Sequence, residues 1–183
     1  MNAPREMIAA AVLLALAGCS EQGQGDEPVA ARSEPANGTV AATVAASTGH
    51  RRLAAALVDT QLAPVLDGKD VYTLLAPGDP AFAALGDKAQ ALSAAERRPL
   101  MAAVLRAHML PGQVTPESIE QAIARKKGPV EMRTMAGGTV RFSKTDRGIA
   151  VSNGAIQVAL SDTASIASNG AVLPIDKVLL PPG

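Results

Sequence analysis

The sequence predicts a single α+β domain, an antiparallel β-wedge or sandwich with several short helices packed on it. Three observations carry that expectation. Up to about Lys127, apolar residues recur at helical spacing in short, Ala-rich runs; after Gly128 the apolar period drops to two. The strand candidates there are separated by the turn signals Gly137-Gly138, Asp146-Arg147-Gly148 and Asn153-Gly154.

Taken in chain order, the first element is not part of the fold. Arg5 precedes an apolar run from Met7 to Ala17, followed by Leu16-Ala17-Gly18-Cys19. A membrane-spanning helix needs about 20 apolar residues, whereas a shorter run of this kind suits a secretory signal. The tetrapeptide resembles the lipobox of bacterial lipoproteins, which implies cleavage before Cys19 and lipidation of its thiol. The expected organisation is a lipoprotein signal peptide over 1–18, a lipidated Cys19 and flexible tether over 19–38, and one domain over 39–183. The tether reads SEQGQGDEPVAARSEPANG, with no apolar period and too little apolar surface to offset the entropy of ordering. Its random-coil reach is on the order of 25 Å. The expected location is the cell envelope, exported and lipid-anchored at the outer membrane, in the periplasm or on the cell surface.

Composition narrows the function. Lys and Arg number 17, as do Asp and Glu, so no global field draws in nucleic acid. The absence of Trp, with one Tyr and two Phe, argues against stacking on bases or sugars. A single Cys forms no internal disulfide.

Within the domain, TVAATVAAS, HRRLAAALVD and TQLAPVL read as helices, the second with Leu53, Leu57 and Val58 on one face. Val71 to Leu75 reads as a compact apolar strand. Asp79 is then a candidate N-cap for a short helix with Pro80 at its first position, Phe82 and Leu85 inward, and Gly86 ending the turn. Ser93 and Glu96 form a capping-box pattern ahead of a helix in which Leu100, Val104 and His108 share a face, with a kink or restart at Pro99. Thr115 and Pro116 open a further helix, acidic early and basic late, as the helix dipole favours. The meander alternates through Val140 and Phe142, Ile149 and Val151, and Ile156, Val158 and Leu160. The closing stretch NGAVLPIDKVLLPPG is expected to add one more strand to it. Val172, Ile175, Val178 and Leu180 would then back Phe142, Val151 and Val158.

The order TLLAPGDPAF, LRAHMLPG, a Thr-x-x-Gly-Gly hairpin, VSNGAIQV and ASNGAVLPIDKVLLP resembles the fasciclin domain. Members of that family typically read close to TVFAPTDEAF, LKYHVVPG, TLAGG, VNGAKV and SNGVIHVIDKVLLP at these places. The resemblance covers residues 40–183 and implies the positions Thr73, Ala76, Pro77, Asp79, Phe82, His108, Pro111, Gly112, Asn169, Gly170, Ile175, Asp176 and Pro181 as structural or partner-binding. This chain departs from the family pattern at Gly78, Ala107, Ala164 and Leu173.

Sharper chemistry finds little support in the residues. Ser, His108 and Asp79 could compose a hydrolytic triad by type, yet no G-x-S-x-G elbow occurs and His108 falls on an apolar helix face, so His108 is expected to be a core histidine bonded to backbone. Two His and no Cys cluster give no metal-ligand spacing, and Met101, Met109, Met132 and Met135 read as core filling. Arg125-Lys126-Lys127 sits where a helix end favours cations, and Gly137-Gly138 precedes a strand, so no cofactor is expected. The family's members are secreted or surface-tethered adhesion modules. The resulting expectation is a non-enzymatic adhesion or binding module, held at a membrane by its lipid and binding an unidentified protein or matrix partner as a monomeric domain. The alternatives are a periplasmic hydrolase or a small-ligand carrier on the same domain.

Overall fold

The computed structural model describes residues 34–35, 38–88, 92, 95–154 and 156–180. The signal peptide, Cys19, most of the tether, Ser93 of the capping-box pattern and Pro181 lie outside the described residues.

Strand β1 is the two-residue Glu34–Pro35. Helix α1, Val40–Ala46, is capped by Thr39, whose Oγ1 accepts the Ala42 N–H at 3.2 Å. Helix α2, Arg51–Asp59, buries Leu53, Ala56 and Leu57. Val58 departs from the expected face and is 66% exposed, because each residue turns 100° and Val58 falls one step beyond the Leu53–Leu57 stripe. Helix α3, Ala63–Leu66, leads into β2, Tyr72–Pro77, and α4, Asp79–Ala83, which buries Ala81 and Phe82. A 3-10 turn, Ala95–Arg97, passes into α5, Arg98–Ala107, with Pro99 in the first turn. That is the expected restart. Its buried face is Met101, Ala102, Val104 and Leu105, with His108 just beyond; Leu100, expected on that face, is 42% exposed.

Strand β3, Met109–Pro111, precedes α6, Pro116–Lys126, where Thr115 and Ser118 exchange side-chain and backbone bonds in a capping box. The remaining strands are β4, Val130–Arg133; β5, Thr139–Thr145; β6, Gly148–Ser152; β7, Gln157–Ala159; β8, Ser165–Ala167; and β9, Gly170–Ile175.

These strands form two sheets. The meander β4-β5-β6-β7 is antiparallel throughout, as expected. The other sheet has the order β8-β9-β2-β3, extended past β8 by parallel pairing of the short β1. The closing strand β9 therefore does not join the meander. It runs parallel to β2, from Tyr72 opposite Gly170 to Pro77 opposite Ile175, and antiparallel to β8. Its ladder contact with the meander is a bridge between Leu160 and Ile175.

Because β2 and β9 lie mid-sheet and alternate their side chains, each feeds two cores. Leu74 and Val172 face the helices, joining Val44, Leu57, Leu105 and Val178. Leu75, Leu173 and Ile175 face the meander, joining Phe142, Val151, Val158 and Leu179. The expectation that Val172, Val178 and Leu180 back Phe142 is thereby corrected: all three pack on the helical side. Burial of both faces explains why these strands read as unbroken apolar runs rather than alternating ones. Of the methionines, Met101 and Met109 are buried, Met132 is half-buried, and Met135 lies on the surface.

Candidate functional site

The motif positions are spread along the β2–β9 pair rather than gathered at one point: Thr73, Asn169 and Gly170 lie toward one end of the ladder, and Pro77, Asp79, Ile175 and Asp176 toward the other. Thr73, fully buried on β2, donates its hydroxyl proton to the Gly112 carbonyl and accepts the Val114 N–H, both at 2.7 Å. Gly112 adopts a φ of +85° and donates its N–H to the Val71 carbonyl at 2.8 Å. The exposed Pro111 lies opposite Tyr72 in the β2–β3 register. Ala76, Pro77, Phe82 and Ile175 are buried packing residues.

His108 is completely buried at the end of α5. Its Nδ1 lies 2.7 Å from the Val104 carbonyl and its Nε2 2.9 Å from the Leu179 N–H. A carbonyl only accepts and an amide only donates, so the ring is neutral with its proton on Nδ1. Burial pushes its pKa down from 6.5 to about 4, against the opposing effect of the Val104 bond. Both nitrogens are occupied by backbone, which leaves no lone pair to act as a general base.

Asp79 holds a different helix from the one expected. Gly78 is the N-cap of α4, and it makes no side-chain capping bond. The Asp79 carboxylate instead accepts the Arg52 N–H of α2 at 2.9 Å, while its own N–H donates to the Gly49 carbonyl at 2.8 Å. The cap of α2, His50, makes no side-chain capping bond of its own, so an orphan donor there is satisfied from 27 residues away. Charge favours the arrangement, since a carboxylate at a helix N-terminus meets the positive end of the dipole.

Asn169 ties three segments together from a buried position. Its Oδ1 accepts the Val40 N–H at 2.8 Å, and its Nδ2 donates to the carbonyls of Leu66 at 2.9 Å and Gly68 at 2.7 Å. Gly170 follows because nothing larger fits: a Cβ there would stand 1.7 Å from the Tyr72 carbonyl oxygen. Asp176 accepts the Ala159 N–H at 2.7 Å and returns its own N–H to the Ala159 carbonyl at 3.2 Å, fastening β7 to the end of β9.

The departures from the family pattern are accommodated by packing. Leu173 is fully buried and Ala164 nearly so, both in the core against the meander, while Ala107 is half-buried. From the sequence alone, Asn153 is a turn residue. Its Nδ2 donates to the Leu180 carbonyl, and its Oδ1 accepts the Ile156 N–H at 3.1 Å. The Asn-Gly pair signals the turn, and nothing local signals the partner 27 residues on.

Away from these residues, an apolar groove of about 420 Å³ lies among α1, α2 and α3, lined chiefly by Ala45, Ala54, Leu57, Val58 and Pro64. No motif position lines it. Among the described residues, no group of three or more His, Cys, Asp or Glu is placed to hold a metal ion, and no helix is long and apolar enough to cross a membrane.

Residues 48–181 match the family profile described as Fasciclin domain. Protein sll1483 of Synechocystis sp. is 28% identical over 145 residues, which cover 79% of this chain and 74% of that protein. A solved structure of a domain pair from the insect cell adhesion molecule fasciclin I superposes with a TM-score of 0.69 at 14% identity, over 78% of this chain. The matched region spans about half of that pair, 51% of its chain, and the likeness is one of fold. With the profile spanning most of the chain and the motif residues interlocked as described, this protein belongs to the fasciclin domain family.

Proposed function

We propose that this protein is a non-enzymatic binding module of the cell envelope, lipid-anchored through Cys19 and presenting its fasciclin domain to a protein or matrix partner. Fasciclin domains are typically non-catalytic binding modules, and the fasciclin I domain pair comes from a cell adhesion molecule. The single observation that carries the reading is that every polar motif side chain is engaged by the protein's own backbone. Thr73, Asp79, His108, Asn169 and Asp176 all bond backbone groups. A hydrolase working by general-base catalysis requires a proton acceptor within reach of its substrate, and His108 is committed at both nitrogens.

Two measurements test this. Cells fed a fatty-acid probe should label the protein, with labelling and detergent partitioning lost in Cys19→Ala; unchanged partitioning would remove the anchor from the proposal. Beads carrying the full chain should retain envelope or matrix material saturably. Turnover of ester or amide substrates that vanished in a folded His108→Gln variant would instead favour the hydrolase.

A further inference from the structure

The outer strand of the meander, β4, presents a backbone edge whose polarity can be worked out residue by residue. At the hairpin, the Thr134 N–H donates to the Gly138 carbonyl at 2.9 Å. Antiparallel ladders alternate hydrogen-bonded with non-hydrogen-bonded pairs. Met132 with Val140 and Val130 with Phe142 are therefore the bonded pairs of this register, and the N–H and C=O groups of Glu131 and Arg133 point away from β5. Beyond them the outward N–H of Met135 is taken by the Met109 carbonyl of β3 at 2.9 Å; among the described residues no backbone hydrogen bond takes the outward groups of Glu131 and Arg133, so the unpaired edge is Val130–Arg133. Glu131 and Arg133 are exposed on one face, whereas Met132 is half-buried against the core on the other.

We propose that β4 pairs antiparallel with β4 of a second copy of this chain, about a two-fold axis at Met132, joining two four-stranded meanders into one sheet. In that register Glu131 stands opposite Arg133 of the second copy, and Arg133 opposite its Glu131. Both are the outward-bonding residues, so each opposed pair exchanges N–H and C=O, and the Met132 pair at the axis is the non-bonded one. The Glu131 carboxylate already accepts from Nε and Nη2 of Arg141 on β5, at 3.1 and 2.7 Å. The second copy's Arg133 would extend that row to arginine, glutamate, arginine.

Charges on an edge strand ordinarily discourage pairing. Protection of that kind needs like charges to meet, and one acid and one base two residues apart are complementary to their own antiparallel image. Sliding the register by two residues either way sets Glu131 against Glu131 or Arg133 against Arg133, so a single register is favoured. The contact is short, and the association is correspondingly weak and concentration-dependent.

The test is sedimentation equilibrium of the full-length protein in a density-matched neutral detergent at low salt. Wild type should pass from monomer to dimer as concentration rises, and less so at high salt because the paired charges are exposed. Two variants retaining wild-type circular dichroism are compared. Arg133→Glu leaves the Glu131–Arg141 pair intact, and Glu131→Arg with Arg141→Glu reverses that pair while preserving it. Each alone places like charges opposite one another and should weaken dimerisation on the order of tenfold or more. Mixed, they restore acid against base at both positions and should form a heterodimer. Arg133→Gln, which adds no repulsion, should weaken association by a smaller factor. A wild type that stays monomeric at every concentration would overturn the proposal, as would variants that dimerise like wild type or a mixture that remains monomeric.

Discussion

His108 and Leu179 are joined across 71 residues by a hydrogen bond from the Leu179 N–H to the imidazole Nε2, at 2.9 Å. The bond fastens the end of α5 to the segment after β9, in a site where His108 is fully buried. An imidazole accepting from an amide is a neutral imidazole. Protonating it would set an N–H against an N–H inside the core.

That geometry sets a pH dependence. Burial holds the folded pKa near 4, against an ordinary 6.5, so between these values the unfolded chain binds a proton that the folded one refuses. Stability therefore rises with pH across this window and is lost as pH falls from about 6.5 toward 4, by on the order of 3 kcal/mol in total. Urea melts at steps across that range should show the slope in wild type. In His108→Gln, which does not titrate, the slope should flatten.

Asp79→Ala is expected to lower stability by about 1 kcal/mol through loss of a helix cap. The location of the effect is diagnostic. Hydrogen exchange should quicken at Arg52 and Leu53 in α2, where the carboxylate accepts, and not first in α4. Asp79→Asn keeps an acceptor and should recover most of the loss.

Reading Asp79 as the cap of its own helix shows where sequence logic stops. An acid followed by proline is a sound local signal, and the turn does begin there, but the side chain found a better partner in a helix 27 residues earlier. The same division runs through the fold. The cap at Thr115, the restart at Pro99 and the alternation of β5 are legible in the sequence because each depends on residues a few positions apart. The parallel pairing of β2 with β9 was not, since it joins segments almost a hundred residues apart and both strands are buried on two faces. Resemblance located the motif residues, His108 and Asn169 among them. Only the structure shows that they are fasteners whose partners lie on other elements.

Gly170→Ala should abolish cooperative folding. The added Cβ would meet the Tyr72 carbonyl oxygen at 1.7 Å; that oxygen belongs to the backbone and the Cβ is fixed by the backbone of the other strand of the central parallel pair, so relief requires separating β2 from β9. Gly128→Ala provides the contrast, because a Cβ there has nothing within 4 Å. Its melting temperature should stay within a degree or two of wild type, as for surface substitutions worth about 0.5 kcal/mol or less.

The segment after β9 is short, but it closes both cores. Val178 packs on the helical side and Leu179 on the meander side, at 3% and 0% exposure. Burying two such side chains is worth roughly 1.5–3 kcal/mol each. Removing the Leu179 N–H also leaves His108 Nε2 without its partner in the core, at a further cost of about 1–3 kcal/mol. Together these approach the ~5–15 kcal/mol that holds a whole domain. Deleting residues 177–183 should therefore leave the chain unfolded or melting far below wild type, even though every residue of β9 is retained. Leu179→Ala keeps the backbone N–H and so separates the two contributions. It should lose about 2–5 kcal/mol through the cavity alone, with the pH slope of His108 preserved. A truncated chain that melted cooperatively near the wild-type temperature would show that the strands close the domain without this segment.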